Sequence, residues 1–160
     1  LLETMSSVSQ AEGALRAATG SGRPVWLAMT VNDFDGKLLR SGEDLNDLRP
    51  LLESFKPDAL LINCSRPEAV STAVEVIRGF GFPFGAYANG FEKISKDFVE
   101  TSPTVDKLEQ RNDLDEKKYA DFAISWIDQG ASIVGGCCEI GPSHILELSN
   151  RISKSGFEIV

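Results

Sequence analysis

The sequence predicts an α/β domain built on a parallel sheet. Short apolar runs alternate along the chain with amphipathic segments, which is the pattern of strands joined by crossover helices. The apolar runs are continuous, as expected of parallel strands that are buried on both faces. A doubly wound sheet and a TIM barrel both fit this pattern, and in both the functional residues gather at the carboxyl ends of the strands. The length of 160 residues argues for one domain, residues 1–160.

The first part of the chain begins with a helix. Residues 9–12 have the spacing of a capping box, which predicts a helix from Ser9 to near Gly20. The β-rich apolar run at residues 25–31 is predicted to be a buried strand, and the polar residues 32–44 to be a loop. Helical spacing between residues 45 and 55 predicts a helix that either bends at its proline or begins there.

The middle of the chain holds the next two strands. Residues 59–63 form a strand, and the sequence Ser65-Arg66-Pro67-Glu68 then offers an N-cap, a first-turn proline and a capping glutamate for a helix. Residues 82–88 form another strand. The polar stretch 89–114 is longer than a simple connection, so a functional loop is predicted.

The last part repeats the pattern once more. An apolar stripe at residues 119–127 predicts a helix that ends at Gly130. Residues 131–136 are the last predicted strand, and a final helix runs from Pro142 toward Lys154. The order is therefore one helix followed by four strand–helix units.

The charge and the apolar content of the chain exclude some classes of binding partner and indicate where the protein is located. The net charge of -8 gives an acidic surface that repels phosphate groups, so neither nucleic acid nor an anionic membrane is expected as a partner. No apolar run approaches the ~20 residues that span a bilayer. The first residues lack the basic segment of a signal peptide, so a cytoplasmic location is expected.

Cysteines and one asparagine follow three of the predicted strands. Cys64 directly follows the strand at 59–63, Asn89 follows the next strand, and Cys137 and Cys138 follow the last. Three cysteines make a poor disulfide framework, and three thiolates suit zinc, with a fourth position open as in catalytic sites. The two preceding glycines allow the tight turn that adjacent ligands need. The pattern favours a metal site at one rim of the sheet.

Other interpretations of these residues remain open. A single cysteine such as Cys64 is often a small core side chain, and the pair at 137–138 is compatible with a reactive dithiol. His144 is interpreted as structural, the stripe at 119–127 as core packing, and the charged residues 92–118 as solvated surface. The position of all three cysteines at strand ends is what favours the metal.

Four motifs, in the same order along nearly the whole chain, resemble those of the homocysteine S-methyltransferase family. They are Glu3-Thr4; Ile62-Asn63-Cys64 with Pro67-Glu68-Ala69; Tyr87-Ala88-Asn89; and Gly135-Gly136-Cys137-Cys138 with Pro142, His144 and Ile145. The resemblance implies a TIM barrel, of which this chain covers the end of strand 4 through strand 8 and the last helix. A barrel needs about 250 residues, so the resemblance implies that an N-terminal half-barrel or self-association completes it.

The resemblance also assigns roles to individual residues. Cys64, Cys137 and Cys138 would be the zinc ligands and catalytic residues. The substrate-binding residues would be Glu3, which binds the amino group of homocysteine, and Asn89, which lies beside the metal and takes its fourth position when substrate is absent. Backbone N–H groups after Cys138 would receive the substrate carboxylate. The sequence Glu139-Ile140-Gly141 departs from the small hydroxyl residues common there.

The implied enzyme is a zinc-dependent methyltransferase. It would transfer a methyl group to the thiol of homocysteine, giving methionine, with S-methylmethionine or S-adenosylmethionine as the expected sulfonium donor. Betaine and methylfolate remain open as donors, and another small thiol or a selenol remains open as the acceptor. The alternative from a different class is a zinc-binding or redox-sensing half-barrel without catalysis.

Overall fold

A single parallel sheet organises the structure, a computed structural model that describes residues 1–94 and 108–160. The described residues form five strands, and every neighbouring pair is parallel. The strands are β1 Leu2–Met5, β2 Trp26–Met29, β3 Ala59–Asn63, β4 Phe84–Tyr87 and β5 Ile133–Val134. Their spatial order is the order of the sequence, β1-β2-β3-β4-β5. In a doubly wound sheet the spatial order of the strands reverses at a switch point. The unbroken order found here therefore favours the TIM barrel over the doubly wound sheet.

Helices connect successive strands, as the alternation predicted. They are α1 Val8–Ala18, α2 Arg49–Phe55, α3 Pro67–Ile77, α4 Glu116–Asp128 and α5 Pro142–Lys154, with short 3-10 helices at Leu45–Leu48 and Arg78–Phe80. Pro50 lies in the first turn of α2, where a missing N–H leaves no hydrogen bond unmade. The helix therefore begins at Arg49, with the proline in its first turn, and the 3-10 turn before it accounts for the helical spacing that starts at Leu45.

Two predicted helix caps are wrong. The N-cap of α1 is Ser7, whose side chain accepts a hydrogen bond from the N–H of Gln10, so the helix starts ahead of the predicted Ser9. The N-cap of α3 is Arg66, without a side-chain cap. Ser65 does not cap this helix because its buried hydroxyl is bonded to the backbone of Val31, 2.9 Å from its nitrogen.

Some predicted strands are shorter in the structure. Only β2, β4 and β5 are paired as strands within the longer runs predicted at 25–31, 82–88 and 131–136, respectively. The remaining residues of these runs flank the paired strands, and those after the carboxyl ends of the strands form the rim. Of the predicted loop 89–114, residues 95–107 lie outside the described part of the chain.

The core lies between the sheet and the helices. β3 is buried along its whole length, as expected for a central parallel strand. Leu60 and Ile62 of β3 share this core with Val70 and Val74 of α3 and Trp126 of α4. Among the described residues there is no helix with the length and apolar character needed to cross a bilayer.

Candidate metal centre

The end of β4 holds the two cysteine-bearing segments side by side. The N–H of Cys64 donates to the carbonyl of Tyr87 at 3.3 Å, and the N–H of Cys137 donates to the carbonyl of Ala88 at 2.9 Å. Cys64 follows β3 and Cys137 follows β5, so β4 lies between them and is bonded to both. This arrangement places Cys64, Cys137 and Cys138 at one rim, at the carboxyl ends of the strands.

The three thiol sulfurs form one cluster. The Sγ atoms of Cys64, Cys137 and Cys138 all lie within 4.8 Å of one another. The Sγ atoms of Cys137 and Cys138 are 3.9 Å apart. A tetrahedral zinc with Zn–S bonds of about 2.3 Å separates its sulfur ligands by about 3.8 Å. The cluster therefore has the donor type and the spacing that a single zinc ion requires.

The rim backbone is held in an uncommon conformation. Cys64 has φ +48°, and Thr4 and Glu139 have φ +63° and +64°, all in the left-handed region that non-glycine residues rarely adopt. Each such residue costs on the order of 1–3 kcal/mol and persists only where the surroundings enforce it, often at a functional site. Gly136 also allows a close approach, because a Cβ there would lie 2.3 Å from the side chain of Ile140.

The cysteines affect one another's protonation. A hydrogen bond from Cys137 lowers the pKa of the Cys64 thiol. The same contact, together with burial, raises the pKa of Cys137, and burial followed by the charge of Cys137 raises the pKa of Cys138. Ionisation of one thiol, that of Cys64, is thus favoured, and ionisation of the other two is disfavoured. A divalent cation would offset the repulsion between thiolates, which is the chemistry of a thiolate metal site.

Asn89 is fully buried beside the cluster. Its side-chain nitrogen lies 3.9 Å from the Sγ of Cys64, and its side-chain oxygen accepts from the N–H of Phe91 at 3.2 Å. The backbone N–H of Asn89 donates to the carbonyl of Ser65 at 3.0 Å. These bonds orient the amide so that its NH2 group faces the sulfur of Cys64.

Glu3 lies on β1 and is exposed, near the side chain of Tyr87 on β4. Burial, and then the charge of Glu3, raises the pKa of the Tyr87 hydroxyl. That hydroxyl oxygen is shielded from solvent and has no hydrogen-bond partner among the described residues. The structure therefore brings a carboxylate and an unpaired phenol together at the same rim as the cysteines.

His144 lies outside the cysteine cluster. Its Nε2 is 3.4 Å from the carbonyl oxygen of Leu114, and its ring meets Tyr119 edge-on with 6.0 Å between centroids.

The backbone N–H groups after Cys138 were predicted to receive the substrate carboxylate. The N–H of Ile140 is already engaged, because it donates to the carbonyl of Cys137 at 3.1 Å within the turn. The first turn of α5, whose N-cap Gly141 makes no side-chain cap bond, keeps N–H groups for the predicted carboxylate.

Sequence reasoning missed two residues that support the centre. Tyr119 was interpreted as core packing only, yet its hydroxyl donates to the carbonyl of Gly135 at 2.6 Å and accepts from the N–H of Ala88 at 3.1 Å. It therefore joins the ends of β4 and β5 just before the cysteine pair. Arg40 was assigned to a polar loop, yet its guanidinium reaches the carbonyl of Cys64 at 3.2 Å. The one sequence signal was for Tyr119, a tyrosine in an otherwise apolar stripe, whose hydroxyl needs a partner when buried.

The comparisons with known proteins agree with this geometry. The model of the family described as homocysteine S-methyltransferase matches residues 1–152. The chain belongs to the homocysteine S-methyltransferase family. The predicted family resemblance is thereby confirmed over nearly the whole chain.

Curated relatives are between a quarter and a third identical to the chain over the aligned residues. It is 28% identical over 152 residues to the homocysteine S-methyltransferase of Escherichia coli, covering 93% of this chain and 46% of that protein. It is 29% identical over 136 residues to the selenocysteine methyltransferase of Astragalus bisulcatus, covering 82% of this chain and 37% of that protein. The chain thus spans less than half the length of these relatives.

A solved structure of the family has the same fold. The apo form of the E. coli homocysteine methyltransferase MmuM matches with a TM-score of 0.68 and 26% identity, over 94% of this chain and 48% of that one. Its metallated form matches with a TM-score of 0.64 and 24% identity, over 94% of this chain and 44% of that one. The sheet order and this match confirm the predicted fold class, a TIM barrel of which the chain covers about half.

Proposed function

We propose that this chain is the metal-binding part of a zinc-dependent methyltransferase that converts homocysteine to methionine. The observation that carries the proposal is the cluster of three thiol sulfurs within 4.8 Å of one another, in a chain of this family. In the proposed reaction the acceptor sulfur forms a bond to the methyl carbon as the donor's bond to that carbon breaks. A sulfonium donor leaves as a neutral thioether, and the acceptor proton passes to solvent.

Cys64, Cys137 and Cys138 would hold the zinc, because three thiolates at this spacing match its preferred ligands and geometry. When bound, zinc would supply a Lewis acid that lowers the pKa of the acceptor thiol. Three protein ligands leave a fourth position for that sulfur. The free thiols must stay reduced to serve as ligands, which supports a cytoplasmic location for the protein.

Asn89 and Glu3 would orient the site and the substrate. The amide of Asn89, 3.9 Å from the Sγ of Cys64, is placed to donate to a thiolate there. Glu3 is exposed at the same rim, where its carboxylate would bind the ammonium group of homocysteine, and the first turn of α5 would face the carboxylate. Holding both ends of the acceptor would fix its sulfur for in-line attack, which removes much of the entropic barrier.

A cationic sulfonium donor, S-methylmethionine or S-adenosylmethionine, agrees best with this rim. The chain carries a net charge of -8. Electrostatic attraction would favour a positively charged donor over an anionic methylfolate. Betaine, a zwitterion, is a weaker candidate on the same ground.

A second candidate acceptor is a small selenol such as selenocysteine. The relative from Astragalus bisulcatus, 29% identical, is a selenocysteine methyltransferase. The proposed site would accept either element, because selenium and sulfur are both soft donors for zinc. The acceptor that gives the higher kcat/KM identifies the preferred substrate.

The proposal is tested by assaying every pair of acceptor and donor. The assays use the complete protein, in which we propose that a further half-barrel closes the fold. Homocysteine and selenocysteine are each assayed with S-methylmethionine, S-adenosylmethionine, betaine and methylfolate. We expect product with a sulfonium donor and zinc-loaded protein, and none after zinc is removed. A protein that binds zinc but forms no product with any pair would instead be a zinc-binding module without catalysis.

A further inference from the structure

We infer that Arg40 is a positioning residue of the metal centre, which fixes the backbone turn that presents the thiol of Cys64. This inference rests on the proposed zinc site. It assigns a function to the segment between β2 and the Leu45–Leu48 turn, which the sequence indicated only as a polar loop.

The guanidinium of Arg40 is packed into the turn that follows β3. It donates to the carbonyl oxygen of Cys64 at 3.2 Å, to the hydroxyl of Thr30 at 3.2 and 3.3 Å, and approaches the hydroxyl of Ser65 at 3.4 Å. The side chain of Arg40 is only 18% exposed. Its donors are therefore directed at the backbone of the cysteine turn, away from solvent.

Asp33 pairs with Arg40 and holds the other side of the same turn. Its carboxylate, 3% exposed, accepts from the guanidinium at 3.2 and 3.3 Å. It also accepts from the N–H of Arg66 at 3.2 Å and from the N–H of Ile94 at 2.7 Å. One ion pair thus binds the carbonyl of Cys64 and the N–H of Arg66, the two peptide groups that flank Ser65.

The turn needs such support because of its backbone conformation. Cys64 has φ +48°, which a residue with a Cβ rarely adopts, and that angle sets the direction of its side chain. The hydroxyl of Thr30 also donates to the carbonyl of Cys64, at 3.2 Å. Relaxation of the turn would move the sulfur away from the other two cysteines, and a metal site is sensitive to ligand displacements well under 1 Å.

The segment that carries Arg40 is itself well anchored. Val31 and Leu39 form an antiparallel bridge, and both are fully buried. Gly36 lies so close to α3 that an added Cβ would be 2.0 Å from the carbonyl oxygen of Ala69. Arg40 is therefore presented by a packed structure, which is what a group that orients a metal ligand requires.

Zinc affinity separates this role from that of an ordinary buried ion pair. The complete protein is prepared as wild type, Arg40→Gln and Arg40→Lys, and zinc is titrated against a chelator of known affinity. We expect Arg40→Gln to bind zinc about 10- to 100-fold more weakly, the usual effect of losing a group that orients a ligand. The zinc affinity of Arg40→Lys should fall between those of wild type and Arg40→Gln. The lysine ammonium keeps the positive charge, but it cannot reproduce all the contacts of the planar guanidinium.

The matched control is Arg151→Gln. Arg151 is also ion-paired, with Asp121 at 2.7 Å and Glu147 at 3.0 Å, but on α4 and α5 away from the cysteine turn. Its substitution removes the same charge and should leave zinc affinity within about 2-fold, as for a distant surface pair. Cobalt-substituted protein gives a second measure, since the thiolate-to-cobalt absorption should change for Arg40→Gln and stay constant for Arg151→Gln.

The outcomes distinguish this inference from the proposed function. If wild-type protein binds no zinc, the proposed function and this inference both fail. If Arg40→Gln is folded and binds zinc like wild type, only this inference is wrong. If Arg40→Gln does not fold, Arg40→Lys decides, because it keeps the positive charge beside Asp33 and loses the planar guanidinium that reaches the Cys64 carbonyl. Unchanged zinc affinity and cobalt absorption in Arg40→Lys would then overturn the inference.

Discussion

Asn63 and Thr4 form a reciprocal pair of hydrogen bonds that joins the ends of β3 and β1. The amide nitrogen of Asn63 donates to the hydroxyl of Thr4 at 2.8 Å, and its oxygen accepts from the N–H of Thr4 at 3.2 Å. The two strands are not neighbours in the sheet, since β2 lies between them. The pair therefore fixes Glu3, next to Thr4, relative to Cys64, next to Asn63.

We expect Asn63→Ala to weaken both stability and substrate binding. The fully buried amide satisfies two groups of Thr4, so its loss should lower the free energy of unfolding by about 1–3 kcal/mol. It should also raise KM for homocysteine more than it lowers kcat, because Glu3 would lose its fixed position. Thr4→Ser keeps the hydroxyl and serves as the control. An Asn63→Ala protein with unchanged KM would contradict a binding role for Glu3.

The two tyrosines of the rim should respond differently to loss of the hydroxyl. Tyr119→Phe removes two hydrogen bonds that join β4 and β5, so we expect it to cost about 1–2 kcal/mol of unfolding free energy. Tyr87→Phe removes a shielded hydroxyl that has no partner among the described residues, so it should leave the free energy of unfolding unchanged or raise it. Denaturant unfolding of the two variants side by side checks this. Equal losses would show that the Tyr119 bonds do not stabilise the rim.

Gly85 of β4 lies opposite Ile133 of β5 without room for a side chain. A Cβ at this position would lie 2.0 Å from the carbonyl oxygen of Ile133, so Gly85→Ala must push the two strands apart. We expect a loss of about 1–3 kcal/mol, the usual cost of overpacking, together with weaker zinc binding because β5 leads to Cys137.

Gly13→Ala is the control for this substitution. Gly13 lies in α1 with nothing within 4 Å of an added Cβ, so the alanine should stabilise the protein by about 0.5–1 kcal/mol through helix propensity. We expect the midpoint of thermal unfolding to fall in Gly85→Ala and to rise in Gly13→Ala. A Gly85→Ala protein as stable as wild type would show that the strand spacing adjusts without cost.

The isolated 160 residues should self-associate. Among the described residues β1 pairs only with β2 and β5 only with β4, so both outer edges present unpaired backbone groups. Such edges pair readily with other chains. Light scattering at micromolar concentration should detect oligomers or aggregates, and addition of the complementary half-barrel should reduce them. A stable monomer of these residues would contradict this expectation.

The sequence predicted those features that follow from local pattern. β3 and α5 have the predicted bounds, and the strand-end rule placed Cys64, Asn89 and Cys137 at one rim. What it missed depends on distant contacts. Ser65 fits the local pattern of an N-cap, but its hydroxyl is taken by Val31, thirty-four positions away in the chain. Arg40 reaches the turn of Cys64 across a similar separation, and no local periodicity reports such a bond.

We expect Cys64, Cys137 and Cys138 together to bind one zinc ion. The most direct test is elemental analysis of the complete protein as wild type, Cys64→Ser, Cys138→Ser and His144→Ala. A serine hydroxyl is a poor substitute for a thiolate, so both serine variants should lose zinc and nearly all methyl transfer while remaining folded. Wild type and His144→Ala should each retain one equivalent of zinc. A Cys138→Ser protein that kept a full equivalent of zinc and its activity would contradict the assignment and favour a reactive dithiol.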